Sequence, residues 1–306
     1  MAQISRSDAA ALLATQDIKE IVKDAEKSSV ALSSFRTVPM SSKQSRMPVL
    51  SALPTGSWVS EATDSSGVKP TSTMAWVNKD LIAEELAVIV PIHENVLDDS
   101  EFDIWSEVRP AIAQEFGRIV DAAVLFGTNK PSTWTDAAIV PGAVAASNSV
   151  TVGAVDLADD VNRTWAAVEA DDFDVNIQFA KRSLRQQLRG LRDENGSPIY
   201  LQSFRGDGNT DMVYGETIKW VTNGSWADTT PDTDFIAGDA SKVIIGIRQD
   251  VRYKFLDQAT VGGINLAERD MVALRAVMRV AYAVAIPKTI ERPNGAYPFA
   301  VLRQAS

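Results

Sequence analysis

Catalysis at neutral pH leans on cysteine, histidine and paired carboxylates, and this sequence of 306 residues has no cysteine and one histidine, His93. Disulfides, thiolate metal sites and cysteine nucleophiles are therefore excluded, and any Ser-His-Asp arrangement would have to use His93. That residue follows Pro91 by two positions and sits beside Glu94, outside any nucleophile-elbow context, and it reads as a structural histidine. The carboxylate pairs Glu84 and Glu85, Asp98 and Asp99, Asp159 and Asp160, and Asp171 and Asp172 are adjacent in sequence. Adjacent side chains diverge on a helix and alternate faces on a strand, so none of these reads as an acid and base pair. Gly206 and Gly208 run into Asn209, Thr210 and Asp211, without the further glycine and lysine of a phosphate-binding loop. Asp207, Asn209 and Asp211 alternate as calcium ligands do, but no bidentate glutamate closes the loop, and an ordinary turn is the better reading. No cofactor and no metal site is expected.

The composition, 45% hydrophobic and 23% charged, supports one large or two medium domains with a real core. Forty acidic residues against thirty basic ones give a net charge of -10, which argues against a chain whose main task is coating nucleic acid. No run approaches the roughly eighteen apolar residues of a membrane span; the longest are Leu86 to Ile92 and Val280 to Ile286, both strand-like. Ala9 to Ala14 is too short for a secretory core, and the product reads as intracellular, without a membrane partner.

Several elements must position whatever the chain does. Leu12, Leu13, Ile18, Ile21 and Val22 fall at helical spacing within residues 7 to 27. From Ser28 to Ser60 there is no acidic residue, only the cations Arg36, Lys43 and Arg46 among many serines and three prolines. This predicts an extended positive arm, either a solvated linker or a strap across the acidic surface of neighbouring subunits. Gly56 to Glu61 and Thr73 to Lys79 are β-like runs around a polar stretch and predict a long hairpin. Its Trp58, Val59, Met74, Trp76 and Val77 need a partner surface, because a two-stranded ribbon has little to pack against.

Leu86 to Ile92 predicts a strand stopped by Pro91, followed by a helix capped near Asp99 or Ser100. Trp105, Val108, Ile112, Phe116, Ile119 and Ala123 form one apolar stripe along the longest helix, which ends at Gly127 and is expected to bend at Pro110. A second amphipathic helix follows Asp156. A third, from about Phe179 to Leu191, carries Lys181, Arg182, Arg185, Arg189 and Arg192 opposite its leucines, as a solvated face or a contact with another subunit or nucleic acid. Met212 to Val221, Val243 to Ile247 and Val251 to Leu256 read as strands around a loop from Asn223 to Asp239. Val272 to Ile286 alternates with period two and predicts one long strand, with Phe299 to Leu302 returning antiparallel to it. The class is α+β.

In this order the features resemble the major capsid proteins of tailed bacteriophages with the Hong Kong 97 fold. Trp58, Val59, Ser60 and Glu61 with Lys69, Pro70 and Thr71 resemble that family's E-loop; Asn95 to Ser100 leads into a helix similar to its spine helix, and Asp121 to Gly127 with Pro131 resembles the spine's end. Leu188 to Gly196 with Pro198, then Gly238 and Asp239, Ile245 to Val251 and Asp270 to Val284 resemble later family segments. The resemblance implies an N-terminal arm over residues 1–53, an E-loop over 54–80, a peripheral domain over 81–135 and 265–306, and an axial domain over 136–264. It implies hexamers and pentamers closing into an icosahedral head around double-stranded DNA bound without sequence specificity. It further implies assembly in the host bacterial cytoplasm, a portal, decoration proteins, and a scaffold that is separate or supplied by residues 7–27. Some relatives join an E-loop lysine to an asparagine of a neighbour; Lys69 and Asn294 occupy the matching places, with Glu291 as the nearest carboxylate to accept the lysine proton. An encapsulin-type cellular compartment is the nearest alternative, and a carboxylate-dependent α+β enzyme a more distant one.

Overall fold

Ser29 begins the described part of the chain by capping a helix. The computed structural model describes residues 29–52, 54, 56, 58, 71–98, 104–153, 156–193, 195–197, 200, 211–226, 232–286 and 296–304. Helix α1 (Val30–Ser34) is followed by strands β1 (Arg36–Pro39) and β2 (Gln44–Ala52). After them come β3 (Ala75–Ile82), β4 (Glu84–His93) and the short helix α2 (Glu94–Asp98). The long helix α3 (Ile104–Asp121) runs on through Pro110 and passes into a π-helical turn, Ala122–Phe126. Gly127 ends it with φ 75°, a left-handed conformation that a residue without Cβ adopts freely.

Helix α4 (Ile139–Ala145) and strand β5 (Ser149–Thr151) lead to α5 (Leu157–Ala170). Asp156 caps α5 by accepting from the Asp159 amide at 2.8 Å. Strand β6 (Ile177–Lys181), helix α6 (Leu184–Gly190), and strands β7 (Met212–Val213), β8 (Glu216–Val221) and β9 (Thr233–Gly238) follow. The chain continues with β10 (Val243–Leu256), the small pair β11 (Thr260–Val261) and β12 (Ile264–Asn265), β13 (Met271–Val284) and β14 (Phe299–Arg303).

Two sheets carry the body. One has the order β1-β10-β13-β4; the other has the order β5-β14-β9-β6-β8-β7. The principal core lies between them: Trp105, Ile112, Phe116 and Val120 of α3 meet Leu274, Ala276, Met278, Val280 and Tyr282 of β13, and Phe179, Ile236 and Phe299 of the six-stranded sheet. Helices α5 and α6 cover the other face of the six-stranded sheet with Val161, Val168, Leu184 and Leu188. Strands β2 and β3 form a separate two-stranded hairpin.

The structure departs from the sequence expectations where tertiary pairing overrides local pattern. The arm region is extended as expected, yet much of it is paired: β1 runs parallel to β10, and β2 forms the hairpin with β3, so the first hairpin strand lies before the expected Gly56 to Glu61. Pro91 lies inside β4 and does not stop it; β4 is an edge strand, where a missing ladder donor is tolerated. Residues 177–181, expected at the start of a helix, form strand β6 between β8 and β9, and only Leu184–Gly190 is helical. The expected loop around residues 223–239 contains β9, buried along its whole length. Met212 to Val221 breaks at Tyr214 and Gly215, whereas the two strands expected between Val243 and Leu256 are one, with register shifts near Gln249. Strand β14 joins β9 and β5 of the six-stranded sheet and not β13. The expected helix over residues 7–27 lies outside the described residues.

Candidate functional site: hairpin, arm root and long helix

The hairpin is held at its root. After α3, the loop 130–138 turns back under β3: the Trp134 indole donates to the Ile82 carbonyl at 3.1 Å, and Thr133 donates to Glu84 at 3.0 Å. Lys79 forms an ion pair with Asp136, whose other oxygen accepts the Val284 amide at 2.9 Å. Lys130 ties the loop to itself through the carbonyls of Trp134 and Asp136. Beyond this root the apolar side chains have nothing to cover them. Trp58 is fully exposed, Trp76 is 61% exposed, and Val77 and Met74 are exposed beside it. Val59, Glu61 and Lys69 lie outside the described residues, as do Glu291 and Asn294.

The arm cations meet acids of their own chain. Arg46 reaches Asp80, its cross-strand partner, at 2.9 Å, and Lys43 lies 3.8 Å from Glu84. Such exposed pairs are each worth about 0–1 kcal/mol, so they align the strands more than they stabilise them. Arg36, on β1, is exposed.

The arm root is built around a residue that chemistry-led reading of the sequence passes over. Asp121, at the end of α3, is completely buried and receives four hydrogen bonds. Ser29 Oγ donates to Oδ1 at 2.6 Å and the Ala31 amide to the same oxygen at 2.9 Å; the Val30 amide donates to Oδ2 at 2.9 Å and Asn223 Nδ2 at 2.6 Å. Burial raises its carboxyl above the ordinary value, against the lowering effect of these donors. An acidic residue closing an apolar helix just before Ala-Ala-Val-Leu-Phe-Gly was the only sequence signal. Along α3 itself, Trp105, Ile112 and Phe116 are buried and Val108 and Ile119 half-buried, as the stripe predicts.

The basic cluster of α6 is largely employed within the chain. Arg185 pairs with Asp211 at 2.9 Å and lies over the Trp220 ring, and Lys181 pairs with Asp232 at 3.2 Å. Among the described residues no cluster of acids and histidine fit to hold a metal occurs. His93 ends β4 opposite Met271. Glu84 and Glu85 diverge, Glu85 pairing with Arg279 at 2.6 Å, so this pair does not converge on a common point. What converges in this molecule is packing. A rigid body carries a pinned hairpin with an uncovered apolar end.

A family model described as the phage capsid family matches residues 9–295. The chain belongs to the phage capsid family. Its relatives include the major capsid protein of Staphylococcus phage 80alpha, 28% identical over 265 residues, which are 83% of this chain and 76% of that protein. A solved structure from Microbacterium phage Oxtober96 is 51% identical with TM-score 0.82, covering 90% of this chain and 91% of that one. One from Mycobacterium phage Bobi is 39% identical with TM-score 0.80, covering 91% of each. The capsid of a native GTA particle, 17% identical with TM-score 0.66 over 100% of this chain and 95% of that one, shares the fold. This capsid protein thus has the Hong Kong 97 fold and is a structural component of the phage shell. Neither the encapsulin nor the carboxylate-enzyme alternative is favoured by these relatives.

Proposed function

We propose that copies of this capsid protein form hexamers and pentamers that close into an icosahedral head around double-stranded DNA. The observation that carries this reading is the hairpin, pinned at Lys79 and Trp134 and uncovered at Trp58 and Trp76. Exposed large apolar groups on an anchored ribbon mark an interface, and a patch that meets a different patch on the next copy builds rings and shells. The division into arm (1–53), E-loop (54–80), peripheral domain (81–135 with 265–306) and axial domain (136–264) belongs to this reading. Val59, Glu61 and Met74 extend the hairpin contact, and Arg36, Lys43 and Arg46 the arm contact.

The net charge of -10 suits a container that must release its genome, because a lining that gripped phosphates would slow both packing and ejection. Assembly takes place in the host bacterial cytoplasm, with a scaffold that is separate or supplied by residues 7–27, a portal, and decoration proteins on the shell. Negative-stain electron microscopy of the protein, purified alone and with its scaffold, tests the reading. Closed shells, or capsomer-sized rings that convert to shells, are expected; a monomer that never associates under either condition would overturn it.

A further inference from the structure

The four-stranded sheet packs one face on α3 and leaves part of the other face open. Antiparallel partners point to the same side, so the register arranges this face in rows. Lys254, Arg275 and Ile89 lie side by side across β10, β13 and β4; Arg252, Val277 and Ala87 form the next row, and Gln249, Arg279 and Glu85 the third. The chain covers both ends of the face itself, with Met40 and Leu81 over Ala281 and Ala283, and with Leu266 beside Met271 and Ala273. Between these ends Arg252, Lys254, Arg275, Ala87 and Ile89 are exposed.

The charges there run against those of the molecule. Four cations, Arg252, Lys254, Arg275 and Arg279, face one carboxylate, Glu85, which is taken by Arg279 at 2.6 Å. Arg248 and Asp250 in the neighbouring irregular stretch cancel each other. Among the described residues no acid forms an ion pair with Arg252, Lys254 or Arg275, on a chain whose net charge is -10. Lys254 and Arg275 are direct cross-strand partners, and like charges in that position repel and weaken the pairing. The isolated chain therefore holds a repulsion that an anion would relieve.

We propose that this sheet face is an electrostatic seat for carboxylates of a second copy of the chain. The inference rests on the shell reading. Charge complementarity selects the occupant: every other copy brings a net negative charge, and the apolar floor of Val277, Ala87 and Ile89 excludes water that would screen the pairs. DNA is the competing anion, but four cations on a chain this acidic make a weak phosphate surface. The seat predicts an unusual signature, in which loss of the Lys254 and Arg275 charges strengthens the unassembled fold and weakens the shell.

The test pairs the double variant Lys254→Thr with Arg275→Thr, threonine being suited to strands, with Lys254→Gln as a milder second variant. Thermal unfolding of unassembled protein is expected at or above the wild-type midpoint. Assembly, followed by light scattering and microscopy, is expected to need several-fold more protein and to lose much of its sensitivity to salt. Zero-length carbodiimide coupling of shells grown from mixed isotope-labelled and unlabelled chains should join Lys254 to an acidic residue of another copy. Wild-type shells with no such intermolecular link, or variants that assemble at wild-type concentration and salt dependence, overturn the inference and leave the shell reading intact. The same holds if wild-type protein retards duplex DNA, the variants do not, and assembly is unchanged. Wild-type chains that never associate overturn the shell reading, and the seat with it.

Discussion

Ser29 and Asp121, ninety-two positions apart in sequence, are joined side chain to side chain at 2.6 Å in the interior of the protein. Ser29 simultaneously caps α1 by accepting the Leu32 amide at 3.1 Å. One hydroxyl thus ends the N-terminal segment and ties it to the long helix, while Asn223 brings the loop after β8 to the same carboxylate at 2.6 Å. The direction in which the arm leaves the body is set here.

Asp121→Asn is expected to destabilise the folded chain by about 1–3 kcal/mol, even though it removes a buried charge. An amide offers one acceptor oxygen and turns its NH2 toward donors from Val30 and Asn223. Asn223 cannot turn its own oxygen inward without losing the Ser225 amide and hydroxyl, at 3.1 and 2.6 Å. Ser29→Ala is expected to cost about 0.5–2 kcal/mol as the loss of a cap. Denaturant unfolding measures both, and an Asp121→Asn protein as stable as wild type would show that the four donors contribute nothing.

Alkaline pH should unfold the protein before its buried phenols ionise. Burial pushes the Tyr253 phenol up to about 12 despite the Arg109 guanidinium beside it, and burial raises Tyr282 and Tyr297 further. A phenol raised in the folded state adds stability that is complete below its unfolded value of about 10 and disappears as pH climbs through the folded one. Of the five tyrosines, these three should gain phenolate absorbance only together with loss of the circular dichroism signal. Ionisation of all five while the fold persists would contradict the packing.

Gly238→Ala is expected to cost about 1–3 kcal/mol by overpacking. A Cβ there would fall on the Pro298 carbonyl oxygen and the Phe299 ring, where β9 and β14 meet, and backbone has little room to yield. Gly190→Ala serves as the contrast: open space surrounds the end of α6, and a gain of about 0.5–1 kcal/mol follows from helix propensity. Thermal midpoints of the two variants should move in opposite directions.

Trp76→Ala and Trp58→Ala should leave the stability of the unassembled chain within about 0.5 kcal/mol of wild type, because both side chains are exposed. Assembly should suffer, with shells forming only at higher protein concentration. A fall in the unfolding midpoint of the unassembled protein would mean that the hairpin covers its own body.

A covalent link between Lys69 and Asn294 of neighbouring chains would appear as a ladder of multimers when mature shells are run on a denaturing gel. Glu291→Gln should then abolish the ladder by removing the proton acceptor. A single monomer band from wild-type shells would dispose of the bond and leave assembly to noncovalent contacts.

Much of the architecture was legible in the chain because its signals are local. The stripe from Trp105 to Ala123 sits on α3, Asp156 caps α5, Gly127 ends the spine, and the alternation after Val272 is strand β13. The uncovered Trp58 and Trp76 were also foreseeable, since a ribbon cannot bury its own aromatics. Local pattern failed where a segment's neighbours decide its state. Residues 177–181 are a strand because β8 and β9 flank them, and β9 hides between polar loops because burial on both faces erases alternation.

The sequence by itself determined the class of molecule: no cysteine, one histidine and scattered carboxylates point away from familiar catalysis, and the order of elements points to a shell protein. The tertiary structure alone decided which polar groups matter. Asp121, Lys79, Asp136 and the row of Lys254 with Arg275 are unremarkable in one dimension. A hydrogen bond or a charge repulsion acts over a few ångströms of space, and these partners stand far apart along the chain, so only folding gives them their meaning.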